Sequence, residues 1–384
     1  MNAHATSRDG SPRRIARREW PLALDAGTAV LFLLFGSAWL ADLSNDAWFA
    51  FVFAWLLAVI LISAFAVVRH AECLAVKLGE PLGTLILTLS VTGVEVMMIA
   101  AVMYAGTGGS AMARDAMFAV VMIVLNGMIG TSLLLGGLRH HEQTYNLQGA
   151  NAFLSVIVPL SVLGLVLPDF TMTTPGPMFS VKQSVFLIAM SLALYTVFLL
   201  IQNLRHKSYF IAPRTVAIEH AAEAAAHAHP GLELRSVKYH TIFLIAYLIP
   251  LVILAKQLGK PIKHAIEAWH APASLGGLIV AALVLSPESV GAVRAAVANE
   301  LQRSVNILLG SVLATISLTI PAVLTIGLVT DQTITLGLDA VDTTLLLLTL
   351  AVSTITFASA RTNVLSGAVH LLLFLAYLML IFEK

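Results

Sequence analysis

Charge is what this chain has least of. Of its 384 residues, only 11% are Asp, Glu, Lys or Arg, against about 25% in a soluble globular chain. The single cysteine, Cys73, excludes an intrachain disulfide framework and a thiolate metal cluster. A formal net charge of +1 offers no basic field for a nucleic acid. No His-Glu-x-x-His run, no Gly-x-Ser-x-Gly elbow and no paired intramembrane aspartates occur, which argues against a membrane-embedded protease or lipid-modifying enzyme. The chain is therefore read as a non-enzyme.

What fills the space is apolar: 58% of the residues are hydrophobic. A helix needs about 20 apolar residues to cross the hydrocarbon core. Eleven stretches qualify, near 22–41, 47–68, 81–105, 116–138, 151–168, 181–203, 240–258, 273–297, 303–329, 342–360 and 362–382. Only Arg361-Thr362-Asn363 separates the last two. The arginine-rich start (Arg13, Arg14, Arg17, Arg18) precedes a stretch too long for a signal-peptide core, so a retained first helix with a basic tail is expected.

Basic loop residues set orientation. Arg69, Lys77, Arg139, Arg205, Lys207, Arg294, Arg303 and Arg361 fall on the N-terminal side of this layout. That side is expected to be cytoplasmic, in a bacterial inner membrane. Lys256, Lys260 and Lys263 disobey. A polar stretch over 204–239, holding His220, His227, His229, Glu219, Glu223 and Glu233, reads as a solvated linker; no spacing in it matches a metal cage.

Two carboxylates break the apolar pattern: Glu95 and Glu288. A charge at the centre of a membrane helix costs about 2.5–3.5 kcal/mol on insertion scales, and such residues mark ion or proton pathways. Their surroundings are related. A shift of 193 residues lays Gly83 on Gly276, Leu85 on Leu278, Ile86 on Ile279, Val91 on Val284 and Glu95 on Glu288. The linker divides the chain into 1–45 (tail and extra helix), 46–203, the linker 204–239, and 240–384. Five spans per repeat is an odd number, so the second repeat enters the membrane from the opposite side. The expected fold is an all-α polytopic membrane protein of about 11 helices, one N-terminal helix plus two inverted five-helix repeats. Inverted repeats are a mark of secondary transporters, with the site at the midplane between them.

Glu95 lies fourteen residues after Pro81, and Glu288 fourteen after Ser274. At about 1.5 Å per residue both lie roughly 21 Å along their helices. Ser90 and Thr92 precede Glu95; Ser286 and Pro287 precede Glu288. Proline frees a carbonyl one turn back, and carbonyls, hydroxyls and carboxylates are the ligands of hard cations. On the neighbouring spans Asn126, Ser132, Asn306, Ser311 and Thr315 are candidate ligands. His370 reads as a packing histidine, with a proton relay as the alternative, Asp25 as an interface residue, and Glu72 and Glu80 as solvated loop residues at the third span's entrance, with attraction of cations there as the alternative.

Two buried glutamates can hold two protons or one divalent cation, but not both comfortably. Loaded with either, the site is neutral and free to change access; empty, it resists. That competition produces exchange rather than leak. The segments GEPLGTLILTLSVTGVEV (79–96) and LVLSPESVGAVRAAVANELQRSVNILLGSVLATISLTIPAV (283–323) resemble the two α-repeats of the cation/calcium exchanger superfamily, above all its bacterial calcium/proton branch, which includes sodium/proton and potassium/proton exchange. The resemblance implies the extra-helix-plus-two-repeat fold. It places one ion-binding acid in each repeat, at Glu95 and Glu288, with Asn126 or Ser132 and Asn306, Ser311 or Thr315 as their neighbours. It also implies no resident cofactor. Partners would be inorganic cations (calcium first), protons and lipid. Vacuolar members carry Gly-Asn-Ala-(Thr/Ala)-Glu before the acid. Here Ser-Val-Thr-Gly-Val-Glu and Val-Leu-Ser-Pro-Glu stand instead, which leaves sodium or potassium exchange open. A sodium/calcium exchanger and a cation channel are the alternatives.

Overall fold

The structure is a computed structural model and describes residues 18–79, 82–104, 110–212 and 234–383. Arg13, Arg14, Arg17, Glu80, Pro81 and the acidic and histidine residues of 213–233 lie outside the described residues. Among the described residues the chain is built from eleven main helices: α1 Trp20–Trp39, α2 Asp46–Leu78, α3 Leu82–Tyr104, α4 Met112–His140, α5 Leu147–Phe170, α6 Val181–Arg205, α7 Val237–Ala268, α8 Ser274–Val297, α9 Leu301–Thr330, α10 Ala340–Thr356 and α11 Val364–Phe382. Nine of these are long and apolar enough to cross a membrane; α3 and α10 contain shorter apolar stretches. Each expected span corresponds to one helix, and the protein is an all-α polytopic membrane protein.

Boundaries follow local chemistry. The side chains of Asn45, Asn146, Ser180, Ser236, Asp339 and Asn363 accept hydrogen bonds from first-turn amides and start α2, α5, α6, α7, α10 and α11. At α6 the Ser180 cap is reciprocated by Gln183. Gly79, at φ 64°, ends α2 in a conformation open to glycine. α2 and α7, which open the stretches 46–203 and 240–384, have 33 and 32 residues. At about 1.5 Å per residue they outrun a hydrocarbon core of about 30 Å. Hydropathy missed those extensions because Arg69, Glu72 and Lys77, or Lys256, Lys260 and Lys263, interrupt the apolar run while continuing the helix.

α4 and α9 form the interior: 78% and 67% of their apolar windows are buried, against 28% in α1, α6 and α11. The outer helices turn Leu33, Leu34, Phe186, Leu372 and Leu375 outward, as a lipid-facing belt requires. Both inner helices widen into π-helical segments, Ile123–Met128 in α4 and Thr315–Thr319 in α9. Such bulges recur at functional sites. Between α10 and α11 the chain turns through Arg361–Thr362, which pairs antiparallel with Gln143–Thr144, Gln143 opposite Thr362. That short contact fixes the α4–α5 and α10–α11 turns together on the face where α1 begins, called here the N-terminal face.

Asp25, expected near the membrane interface, lies in the second turn of α1 and is fully buried against protein, with neither carboxyl oxygen in a hydrogen bond of ordinary geometry. The helix packing of α1 against α2 and α7 encloses it.

Candidate cation site

A cavity of about 260 Å³ runs between α3, α8 and α9, with α2, α5 and α6 around its mouth. On α3 it is lined by Thr88, Thr92 and Glu95, spaced i, i+4, i+7, and so along one stripe of the helix. On α8 the same spacing, Val284, Glu288 and Gly291, faces it. On α9 it meets Ile307, Ser311, Ala314 and Thr315. Glu95 is 4% exposed. Its Oε2 accepts a 2.8 Å hydrogen bond from the Thr315 hydroxyl; its Oε1 has no protein partner. Glu288 Oε2 is likewise buried without a partner, and the Ser311 side chain interacts with its carboxyl.

Two carboxylates in one enclosed cavity cannot both stay bare, because an unpaired buried charge is far too costly. Each needs a proton or a cation. The polar atoms available deep in the cavity are oxygens: two carboxyls and the hydroxyls of Thr92, Ser311 and Thr315. That donor set suits a hard cation. Among the described residues no group of three or more His, Cys, Asp or Glu side chains is arranged to hold a metal; the deep charge comes from the glutamate pair, with Glu72 adding a third carboxylate at the mouth.

Several expected ligands stand elsewhere. Ser90 does not line the cavity; it is two residues before Thr92, and residues two apart leave a helix on different faces. Ser286 turns back to donate to the Ala282 carbonyl at 2.5 Å. Ser132 is buried in α4 with its hydroxyl unpartnered, away from the cavity lining. Asn126 sits in the α4 π segment, but its amide donates to Thr349 at 2.8 Å and its oxygen faces His370 Nδ1 at 3.2 Å. Asn306 does line the cavity, yet its amide donates to the Phe210 carbonyl and its oxygen accepts from Gln302. It lies nine residues, about 13 Å of helix rise, from Thr315 and belongs to the mouth. Thr92, Ser311 and Thr315 are brought together with the glutamates.

Thr88, Gln202 and Tyr195 on the cavity wall were not expected from the sequence; Glu72, expected at the entrance, lines the mouth from inside α2 rather than from a loop. Thr88 was findable: it lies seven residues before Glu95 on the same stripe. Gln202 and Tyr195 come from α6, and no local pattern announces that helix as a wall.

Among the described residues, contacts tie the helices together on the face opposite the mouth. Arg114 donates to the Gly337 carbonyl at 2.9 Å and pairs with Asp115. Leu338 N–H donates to Leu165 O at 2.9 Å, and Gly337 N–H to Pro177 O at 3.1 Å. Gly277 lets α8 close on α4: a Cβ there would meet the Ala116 nitrogen at 2.6 Å. The mouth, by contrast, carries Val68, Glu72 and Gln202, from the ends of α2 and α6 on the N-terminal face.

The sodium/calcium exchanger protein family matches residues 48–204 and 239–383, and the chain belongs to that family. It is 41% identical over 327 residues to the sodium-potassium/proton antiporter ChaA of Escherichia coli (strain K12), covering 84% of this chain and 86% of that one. It is 42% identical over 319 residues to the putative ionic transporter y4hA of Sinorhizobium fredii (strain NBRC 101917 / NGR234), covering 83% and 85%. The fold is shared with native YfkE at a TM-score of 0.71 and 18% identity, over 95% of this chain and all of that one. The two matched stretches of the family are separated by residues 205–238.

Proposed function

We infer that this chain is a secondary active cation/proton antiporter, in which Glu95 and Glu288 exchange protons for a metal cation by alternating access. One observation carries this reading: carboxylates from two sequence-related helices face one cavity, each with an oxygen that no protein group satisfies. The repeats 46–203 and 240–384 supply one acid each, and α3 and α8 cross in opposite directions. Calcium matches the pair's charge with one ion; sodium or potassium matches it with two. The 41% identical relative is named for sodium, potassium and protons, so both monovalent ions belong in the assay beside calcium. The N-terminal face, with Arg69, Arg139, Arg205, Arg303 and Arg361, is assigned to the cytoplasm of a bacterial inner membrane. The cavity is then open inward, with the Arg114–Gly337 contacts on the opposite face.

Reconstituted vesicles carrying a pH gradient test this. Addition of calcium, sodium or potassium should collapse the gradient with saturable dependence on the cation. Calcium flux that demands sodium on the opposite side and leaves the pH gradient intact would replace this reading with sodium/calcium exchange. A steady unsaturable current would make the protein a channel.

A further inference from the structure

A second buried cluster of titratable side chains lies at the N-terminal face, away from the glutamate cavity. Glu19, just before α1, is 6% exposed. Its Oε2 accepts from Arg69 at 2.6 Å, from Tyr247 at 3.0 Å and from His70 Nε2 at 3.3 Å. Its Oε1 accepts from Tyr239 at 2.6 Å. His70 Nδ1 stands 3.0 Å from His240 Nδ1, and both rings are buried. At the other end, His240 Nε2 accepts the backbone N–H of Arg235 at 3.1 Å.

The amide has no choice of role, so it fixes the tautomers. His240 Nε2 is an acceptor, hence His240 carries its hydrogen on Nδ1. That hydrogen donates to His70 Nδ1, so His70 carries its own on Nε2 and donates to Glu19. Arg69 Nη2, 3.1 Å from His70 Nε2, converges on the same carboxylate oxygen. Every ring nitrogen is engaged, in a directed chain from amide to carboxylate.

One further proton cannot enter without breaking this chain. If the charge rests on His240, its Nε2 bears hydrogen and opposes the Arg235 N–H. If it rests on His70 with the ring pair still bonded, His240 becomes the acceptor at Nδ1 and its hydrogen moves to Nε2, with the same result. The remaining arrangement sets two N–H groups face to face and breaks the ring pair. We propose that Glu19, His70 and His240 form a proton-binding site separate from the transport site, and that its occupancy controls the entry of the chain into α7.

The facing charges divide. Burial, Arg18 and Arg69 oppose the added proton, while the Glu19 anion favours it; Arg235 lies over the Tyr239 ring. Tyr239 and Tyr247 face the carboxylate from α7, Cys73 and Glu72 lie along α2, and Asp25 lies farther along α1. Burial works to raise the Glu19 carboxyl, but hydrogen bonds from His70 and Tyr239 and the Arg69 guanidinium outweigh it and hold it down to about 2, from an ordinary 4.5. Glu19 is thus ionised throughout the range in which an imidazole ordinarily titrates. The cluster also touches the transport cavity through one helix. Val68 and Glu72 face the cavity, while His70, between them on α2, faces away toward α1 and α7.

Amide hydrogen exchange on the full-length protein in lipid nanodiscs reads this without reference to transport. After correction for intrinsic rates, Arg235 protection should fall about tenfold as the pH is lowered from about 6 to about 4. Protection that is independent of pH overturns the proposal. In His240→Gln the amide should exchange fast at both pH values. Proton flux then tests the coupling: the native profile should bend between about pH 6 and about pH 4, and the bend should vanish in His240→Gln while the maximal rate stays within about twofold. The same bend in that variant also overturns it. Loss of all flux in native protein, with the amide response intact, would reject the antiport reading and leave this site standing.

Discussion

Two polar clusters are buried among the inner helices, and they differ in one respect. Around Glu95 and Glu288, carboxylate oxygens lack protein partners. Asn126 and His370 are engaged at each side-chain polar atom: the Asn126 amide donates to Thr349, its oxygen faces His370 Nδ1, and His370 Nε2 meets Thr356 at 3.0 Å. Both clusters draw on a π-helical segment, Asn126 in α4 and Thr315 in α9. In α9 the bulge presents its hydroxyl to the cavity and to Glu95. In α4 it presents its amide to α10 and α11. The same backbone device therefore serves a site in one case and a helix junction in the other. Hydrogen-bond satisfaction separates them: a saturated cluster fixes structure, and an unsaturated one at similar depth is open to a ligand.

The comparison breaks first if the carboxylates are dispensable. Glu95→Gln and Glu288→Gln keep the shape of each side chain and remove the titratable charge. Each should lower cation-driven proton flux in vesicles by at least about a hundredfold, which corresponds to about 2.7 kcal/mol, while membrane insertion and thermal stability persist. Retained flux in either variant would remove that residue from the site.

Asn126→Ala and Thr315→Ala should then part company. Removing Asn126 leaves Thr349 and His370 short of partners, at a cost of about 1–3 kcal/mol, so the melting temperature in detergent should fall. Flux per folded molecule should change little. Removing Thr315 takes one donor from Glu95, a charge-assisted bond worth about 1.5–3 kcal/mol. Its effect should appear as about a tenfold shift in cation or proton dependence, with stability nearly unchanged. The reverse pattern would exchange the roles of the two clusters.

The glutamates were legible because membrane depth makes any carboxylate conspicuous, and the 193-residue shift related them. The eleven helices were legible because each is a run of apolar residues between caps and charges. The ligand shell was less so. Asn126 and Thr315 occupy comparable bulges, and which one reaches a carboxylate depends on how α10 and α11 pack against α4. That packing joins residues more than 200 positions apart, and nothing local encodes it. Glu72 looked like a loop residue for a similar reason: α2 continues beyond the bilayer-length window, and only its continuation carries that side chain to the cavity.

The smallest predicted effect tests the geometry most narrowly. Ser90 and Ser286, expected ligands near the two acids, miss the cavity. Ser286 spends its hydrogen on the Ala282 carbonyl, a bond within its own helix that replaces no ligand contact. Ser90 lies across the helix from Thr92. Alanine at either position should change stability by less than about 0.5 kcal/mol and leave the cation dependence of flux unchanged. Thr92→Ala, on the cavity stripe, should shift that dependence measurably. Equal shifts from Ser90 and Thr92 would mean that α3 rotates during transport and presents both faces. The cavity seen here would then be one of two faces of the site, and the stripe of Thr88, Thr92 and Glu95 would describe only the inward-open state.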